Sequence, residues 1–133
     1  MRIIRPKLRA EYRGQQCEYC RKTGPCEAAH VFAKGMGGGK TMDIRCNLVA
    51  LGHAFSCACH ASNHAGHEPT HDDLLLVVAV RERVKQDDII DMVHWLRRLD
   101  KSASREKIER ALRELRGGAR RLAIRELVEA GKI

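Results

Sequence analysis

The sequence predicts an α+β fold, in which a small β-hairpin and one short helix precede a longer helical region. Two observations lead to this prediction. All six Cys and six of the seven His lie within residues 17–71. No Cys follows, and apolar residues instead recur at helical spacing to the C-terminus. We therefore divide the chain into a first region, residues 1–71, and a C-terminal helical region, residues 72–133.

Glycine and apolar runs define the elements of the first region. Residues 28–33 and 47–51 are short apolar runs typical of strands, and the glycine-rich stretch 35–40 between them predicts a long hairpin loop. Residues 59–65 read as a short helix, with Gly66 placed as its C-terminal stop. The spacing therefore predicts a strand–loop–strand–helix order.

The helical region contains sequence signals for helix starts and helix ends. Its apolar residues form stripes at helical spacing, and these stripes could also pack against a second copy of the chain. We therefore expect a possible homodimer through the C-terminal helices. The predicted helix starts are residues 70–73, Asp87 or Asp88, and Ser102 or Ser104, with a break at Gly117-Gly118 and an end at Gly131.

Composition limits the classes of protein to consider. The 133 residues are 44% hydrophobic and 32% charged, which suits one folded domain. The longest apolar run, residues 74–80, is far shorter than the ~20 residues that cross a bilayer. Residues 1–13 lack the apolar stretch of a signal peptide. We expect no membrane association and a cytoplasmic protein, whose reduced thiols favour metal binding over disulfides.

The net charge of +8 is concentrated at the two ends of the chain. Residues 1–40 hold nine Lys and Arg against three acidic residues, and residues 101–133 hold ten against five. This distribution suits a polyanion such as nucleic acid, although a merely well-solvated surface would also explain it. Pro6 argues against a helix through residues 2–13, which we expect to form an extended or irregular basic arm. The candidate phosphate contacts are Arg5, Lys7, Arg9 and Arg13 in this arm and Lys34 and Lys40 in the glycine-rich loop.

The cysteines predict a structural zinc site. Cys17 and Cys20 form a C-x-x-C turn, in which two thiolates on one tight loop reach a tetrahedral Zn²⁺ together. Cys57 and Cys59 are the other close pair and are the expected second half of the site. A redox role for the C-x-x-C is disfavoured because no thioredoxin-like strand and helix surround it. The reserve ligands are Cys46 and His53, and Cys26 is expected to be a small buried residue.

Histidines and one asparagine form a second set of candidates. His60 and His64 are four residues apart on the predicted helix, so both imidazoles lie on one face and could share a divalent metal. A solvated helix face is the alternative reading of this pair. His30 on the first strand is a candidate general base, and the Asn47 amide could bond the backbone across the loop and hold His30 in place.

In this order, the residues resemble the HNH endonuclease family, and most closely its small phage and prophage members associated with recombination. The resemblance implies a ββα-metal fold braced by zinc, a DNA endonuclease activity in the cytoplasm of a bacterial or phage-infected cell, and catalytic Mg²⁺ or Mn²⁺. It implies that His30 is the general base, Asn47 the middle Asn, His64 the final His and a metal ligand, and His60 a second ligand. The matching stretches are Cys17-x-x-Cys20, residues 27–31, residues 35–39, residues 47–51 and residues 59–66.

One departure from the family pattern concerns the metal. Many members place Asp, Glu or His just before the base, where this chain has Ala29. The substitutes are water, Asp43, His67 or Glu27, and the sequence does not choose among them. The alternative function is therefore a zinc-stabilised nucleic-acid-binding module without catalysis.

Overall fold

A computed structural model describes residues 1–35 and 38–133 and has an α+β architecture. Two strands form an antiparallel hairpin, β1 at Cys26–His30 and β2 at Leu48–Gly52. The register places Cys26 opposite Gly52 and His30 opposite Leu48. The predicted glycine-rich loop includes residues 36–37, which lie outside the described residues. The helices are α1 at Pro6–Glu11, α2 at Cys59–His64, α3 at His71–Glu82, α4 at Gln86–Arg98, α5 at Arg105–Ala111 and α6 at Gly117–Glu129.

The hairpin and its helix follow the predicted order with shifted boundaries. The first strand runs from Cys26 to His30, and the next residue, Val31, still donates its backbone N–H to the carbonyl of Asn47 in the same register. Asn47 itself lies in a 3₁₀ turn before β2 and is not the first strand residue. After α2, Gly66 adopts φ +80°, a left-handed conformation that suits a helix stop at glycine.

The prediction of an irregular arm was wrong at residues 6–11, which form α1. Pro6 is the first residue of this helix, where its missing N–H would have had no intrahelical partner and its fixed φ favours the helix. Proline therefore begins the helix here and does not break it. Leu8 is the buried residue of α1, so the helix packs on the domain through one apolar side chain.

The helix starts were predicted with mixed success. Thr70 caps α3 in a capping box with Asp73, and Ser104 caps α5. Helix α4 begins after Lys85, so Asp87 and Asp88 lie in its first turn, where negative charge complements the helix dipole. Gly117-Gly118 opens α6 and does not merely end the preceding helix; a Cβ at Gly118 would collide with the Asp88 carboxylate.

The core joins the hairpin to the helical region. Every residue of β2 is buried. Its residues 48–51 belong to one hydrophobic cluster with Ile89, Met92, Trp95 and Leu96 of α4. The N-terminal amine donates to the Leu96 carbonyl at 2.9 Å, which ties the start of the chain to α4. The hairpin is thus supported by packing that a two-stranded sheet alone would lack.

Buried polar contacts also connect α6 to the turn before β2. Glu126 is fully buried and accepts the backbone N–H of Arg45 at 2.7 Å. Burial raises the pKa of this carboxyl, although Arg125 opposes the shift. This contact therefore holds the turn before β2 against α6, close to the C-terminus of the chain.

The length and the exposed apolar side chains of the helices bear on membrane association and on the expected homodimer. Within the described residues, no helix combines the length and apolarity needed to cross a bilayer. Exposed apolar side chains occur on α3 and α6, and the homodimer expected through the C-terminal helices stays a prediction. These side chains are Leu76, Val80, Ile124 and Val128.

Candidate functional site

Four cysteines converge at the edge of the hairpin. The thiols of Cys17, Cys20, Cys57 and Cys59 all lie within 4.8 Å of one another. Four sulfurs around a tetrahedral zinc, each about 2.3 Å from the ion, would lie roughly 3.8 Å apart. The donor set and its spacing therefore fit a structural metal such as zinc, held by the two predicted pairs.

The thiols of this cluster affect one another's ionisation. Burial opposes ionisation of Cys57, but the backbone N–H of Cys59 and the neighbouring thiols lower its pKa to about 6. Burial, together with its thiol neighbours, raises the pKa of Cys59. Four thiolates so close together repel, so full ionisation of the set needs a cation among them.

The reserve zinc ligands lie elsewhere. Cys46 is fully buried, burial raises its pKa to about 12, and its sulfur contacts Arg125 at 3.2 Å. His53 faces Glu27 at 3.9 Å and is not part of the cluster. Cys26 is buried, as expected, and its sulfur lies 3.6 Å from the Gly24 carbonyl.

The predicted histidine pair is close together on α2. The Nε2 atoms of His60 and His64 lie 3.1 Å apart. This separation is close to that of two nitrogens bonded to one divalent ion at about 2.0–2.1 Å each. On its other side, His60 Nδ1 lies 3.2 Å from Glu27 Oε1, so the ring donates to the carboxylate and its Nε2 lone pair faces His64. Glu27 therefore orients the His60 ring through Nδ1, as carboxylates commonly do for histidines that bind a metal through the other nitrogen.

His30 is paired with a buried carboxylate. Its Nε2 donates to Asp43 Oδ1 at 2.8 Å, and Asp43 is fully buried. Asp43 Oδ2 accepts the backbone N–H of Arg5 at 2.8 Å and lies 3.1 Å from Arg9 Nε. The proton at Nε2 leaves Nδ1 of a neutral His30 as the unprotonated nitrogen.

These contacts also set the charge state of Asp43. Burial would raise its pKa, but the hydrogen bonds from His30 and the Arg5 backbone, with the charge of Arg9, hold the pKa below its usual value. Such a carboxylate stabilises the fold at pH values above its unfolded pKa, and this contribution is lost as the pH falls through the folded value. Asp43 is therefore an anion at neutral pH.

The Asn47 side chain forms hydrogen bonds with the backbone on both sides of the glycine-rich loop. Its Oδ1 accepts the backbone N–H of Phe32 at 2.7 Å, and its Nδ2 donates to the carbonyls of Phe32 and Met42 at 3.3 and 3.0 Å. The side chain is fully buried, so all these bonds form away from water. Asn47 thereby fixes the segment that immediately follows His30.

The histidines of both groups line one cleft of about 600 Å³. His30 and Ala28 form one wall from β1, and His60, Asn63 and His64 form another from α2. Lys34 also lines the cleft and brings a positive charge to it. A candidate base, a candidate pair of metal ligands and a cation thus share one solvent-accessible space.

The predicted phosphate contacts divide into two groups. Arg9 faces Asp43, and Arg5 lies 3.8 Å from Glu129, so both side chains already have acidic partners. The exposed members of the set are Lys7, Arg13, Lys34 and Lys40.

From the sequence, Asp43 and Glu27 are predicted only as substitutes for the metal ligand that is missing at Ala29. The structure places Asp43 behind His30 and Glu27 behind His60, each bonded to a ring nitrogen. His67, the other proposed replacement, is exposed and is not among the residues that line the cleft.

Comparisons with known proteins give no further guidance: no protein-family model matches the chain, and neither a curated protein nor a solved structure matches it.

Proposed function

We propose that the protein is a metal-dependent DNA endonuclease of the HNH type, in which His30 is the general base. The observation that carries this proposal is the shared cleft. His30, oriented by Asp43, lies there with the paired Nε2 atoms of His60 and His64. A base and a divalent-ion site beside one phosphate are the two parts that metal-assisted phosphodiester hydrolysis needs.

The residues around His30 define its part in the reaction. Asp43 accepts a hydrogen bond from Nε2–H, so the Nδ1 lone pair takes a proton from water, and that water attacks the phosphorus in line with the 3′ oxygen. The P–O3′ bond breaks, and the departing 3′ oxygen takes a proton from solvent. The imidazolium formed in this step is stabilised by the buried Asp43 carboxylate. Asn47 limits movement of the backbone that follows His30. The products are a 5′-phosphate and a 3′-hydroxyl.

His60 and His64 would hold the catalytic divalent ion, which the resemblance predicts to be Mg²⁺ or Mn²⁺. When bound, such an ion offsets charge on the phosphate and on the leaving oxygen. Glu27 makes His60 a stronger donor by accepting its Nδ1 proton. Imidazole is a softer ligand than carboxylate, so Mn²⁺ should support more activity than Mg²⁺. Water would supply the ligand that Ala29 does not.

Exposed cations of the glycine-rich loop bind the DNA backbone without reading its sequence. Because such binding releases counterions, affinity for duplex DNA should fall steeply as salt rises. Replacing Lys34 by Ala should weaken binding and reduce the slope of log affinity against log salt by about one. Fluorescence anisotropy with a labelled duplex measures both. Lys132→Ala, at an exposed position beyond α6 and away from the cleft lining, should keep the wild-type slope. An affinity that does not change with salt would contradict this mode of binding.

A zinc-stabilised nucleic-acid-binding module without catalysis is the second candidate. The observation that favours it is Ala29, a buried apolar residue where many family members carry a ligand. Such a protein would retain the cysteine cluster and the lysines of the glycine-rich loop, and it would bind DNA without cutting it.

Nicking of supercoiled plasmid distinguishes the two candidates. The protein is incubated with plasmid and Mg²⁺, Mn²⁺ or no added divalent ion, with an EDTA quench as control. Conversion to the relaxed circle only with added ion supports the endonuclease. Salt-dependent binding without relaxation under any of these ions would favour the binding module.

A further inference from the structure

Phe55 is the most exposed large hydrophobic residue among the described residues. Its relative exposure is 90%, whereas the other phenylalanine, Phe32, is buried in the core. It lies in the segment between β2 and the second cysteine pair of the cluster. The ring gains no free energy from burial within the chain, so a partner that covers it would gain that free energy on binding.

The ring of Phe55 is not free to take any orientation. It stacks on His53, with ring centroids 5.0 Å apart and planes inclined by 22°. The backbone N–H of Phe55 also donates to His53 Nδ1 at 3.2 Å, which fixes the two residues relative to each other. His53 thus overlaps only part of one face of Phe55, and most of the ring faces solvent.

This aromatic pair is connected to the candidate metal site. His53 Nε2 lies 3.9 Å from Glu27 Oε1, and the same oxygen accepts the Nδ1 proton of His60. His60 then meets His64 through its other nitrogen in the cleft. The pair therefore lies near the candidate metal ligands, on the side of His60 that faces Glu27, and outside the lining of the cleft.

We propose that Phe55, beside His53, is a stacking platform for an unpaired nucleobase of a strand that extends out of the cleft. This inference rests on the proposed function, which supplies the DNA strand. A flat, oriented aromatic surface is what a base needs when it leaves its neighbours, and every base has a face that can use it. Bases within an intact duplex are already stacked, so the platform selects strands with unpaired bases, such as single-stranded, gapped or branched DNA.

Two matched strands test this proposal: a labelled oligothymidine and an abasic chain with the same number of phosphates. Binding is measured by fluorescence anisotropy with the full chain and without added divalent ion, so that no strand is cut. The wild-type protein should bind the oligothymidine more tightly than the abasic chain. Phe55→Ala should weaken oligothymidine binding about 5- to 150-fold, the equivalent of ~1–3 kcal/mol per stacked base. The same substitution should leave binding of the abasic chain within about twofold, since the phosphate contacts remain.

Two further variants separate stacking from general damage. Phe55→Trp keeps a flat aromatic surface and should retain the preference for oligothymidine. Val80→Ala removes another exposed apolar side chain, on α3, and should change neither affinity. Circular dichroism and the unfolding midpoint check that Phe55→Ala is folded.

The outcomes distinguish this inference from the proposed function. Equal wild-type binding of both strands, or an equal loss on both strands in Phe55→Ala, would overturn the platform and leave DNA binding standing. If the wild-type protein binds neither strand nor duplex, the proposed function and the platform both fail. Metal-dependent nicking with no effect of Phe55→Ala on oligothymidine binding would keep the endonuclease and reject the platform.

Discussion

Replacing Cys17 by Ser should release the structural metal and unfold most of the first region of the chain. Cys17 is fully buried within the four-thiol cluster, and the turn it begins is attached to the hairpin by a backbone bond from Glu18 to the carbonyl of Ala50. Binding free energies of structural zinc in small domains are about 10–16 kcal/mol, whereas whole domains are stable by only ~5–15 kcal/mol. The variant should therefore lose its cooperative unfolding transition, or at least several kcal/mol of stability.

Metal content and unfolding measure this effect separately. Elemental analysis after dialysis should give one tightly held zinc per wild-type chain and none in Cys17→Ser, and urea titration followed by circular dichroism gives the free energy of unfolding. Cys26→Ser is the matched control, because Cys26 is also buried but lies outside the cluster. It should keep the metal and lose only about 1–3 kcal/mol, the cost of a buried hydroxyl without a good partner. A Cys17→Ser chain with full zinc content and an unchanged midpoint would refute the structural role.

The elements with short-range signals were the ones that sequence predicted. The glycine-rich loop between two apolar runs indicated the hairpin, and the Thr70 capping box marked the start of α3, since each signal lies within a few residues of the structure it specifies. Helix α1 was missed because Pro6 has opposite meanings in the interior and in the first turn of a helix. Only the packing of Leu8 on the rest of the domain decides between them.

The candidate site was predictable to the extent that spacing along the chain determines proximity. Cys17 and Cys20 share a turn, and His60 and His64 share a helix face, so both pairs could be found by counting. The partners behind the histidines could not. Asp43 meets His30 across the hairpin loop, 13 residues apart, and Glu27 meets His60 across 33. For Asp43, the one signal available was that an acidic residue between apolar neighbours, here Met42 and Ile44, must find a partner if it is buried.

His30→Ala should reduce nicking by about 10²- to 10⁴-fold, the usual contribution of a positioned general base. The protein should remain folded and keep its affinity for DNA, since His30 is not a member of the cysteine cluster and Asp43 keeps its contacts with Arg5 and Arg9. Plasmid relaxation under saturating Mn²⁺ measures the rate. His94→Ala, at an exposed position on α4 outside the cleft lining, should have wild-type activity. Added imidazole should partly restore the rate of His30→Ala, because a free base can enter the space that the side chain leaves.

Asp43→Asn tests whether the carboxylate acts through His30. Asn keeps the size of the side chain and an oxygen that can accept from His30, but it removes the charge that stabilises the imidazolium. The expected result is a fall in kcat of about 10- to 100-fold, typical for a carboxylate behind a functional imidazole, with little change in KM. Some loss of stability should accompany it, because Arg9 loses its ionic partner. A purely structural role would instead lower the fraction of folded enzyme without changing the kcat of the folded fraction. Full nicking activity in both His30→Ala and Asp43→Asn would exclude His30 as the base.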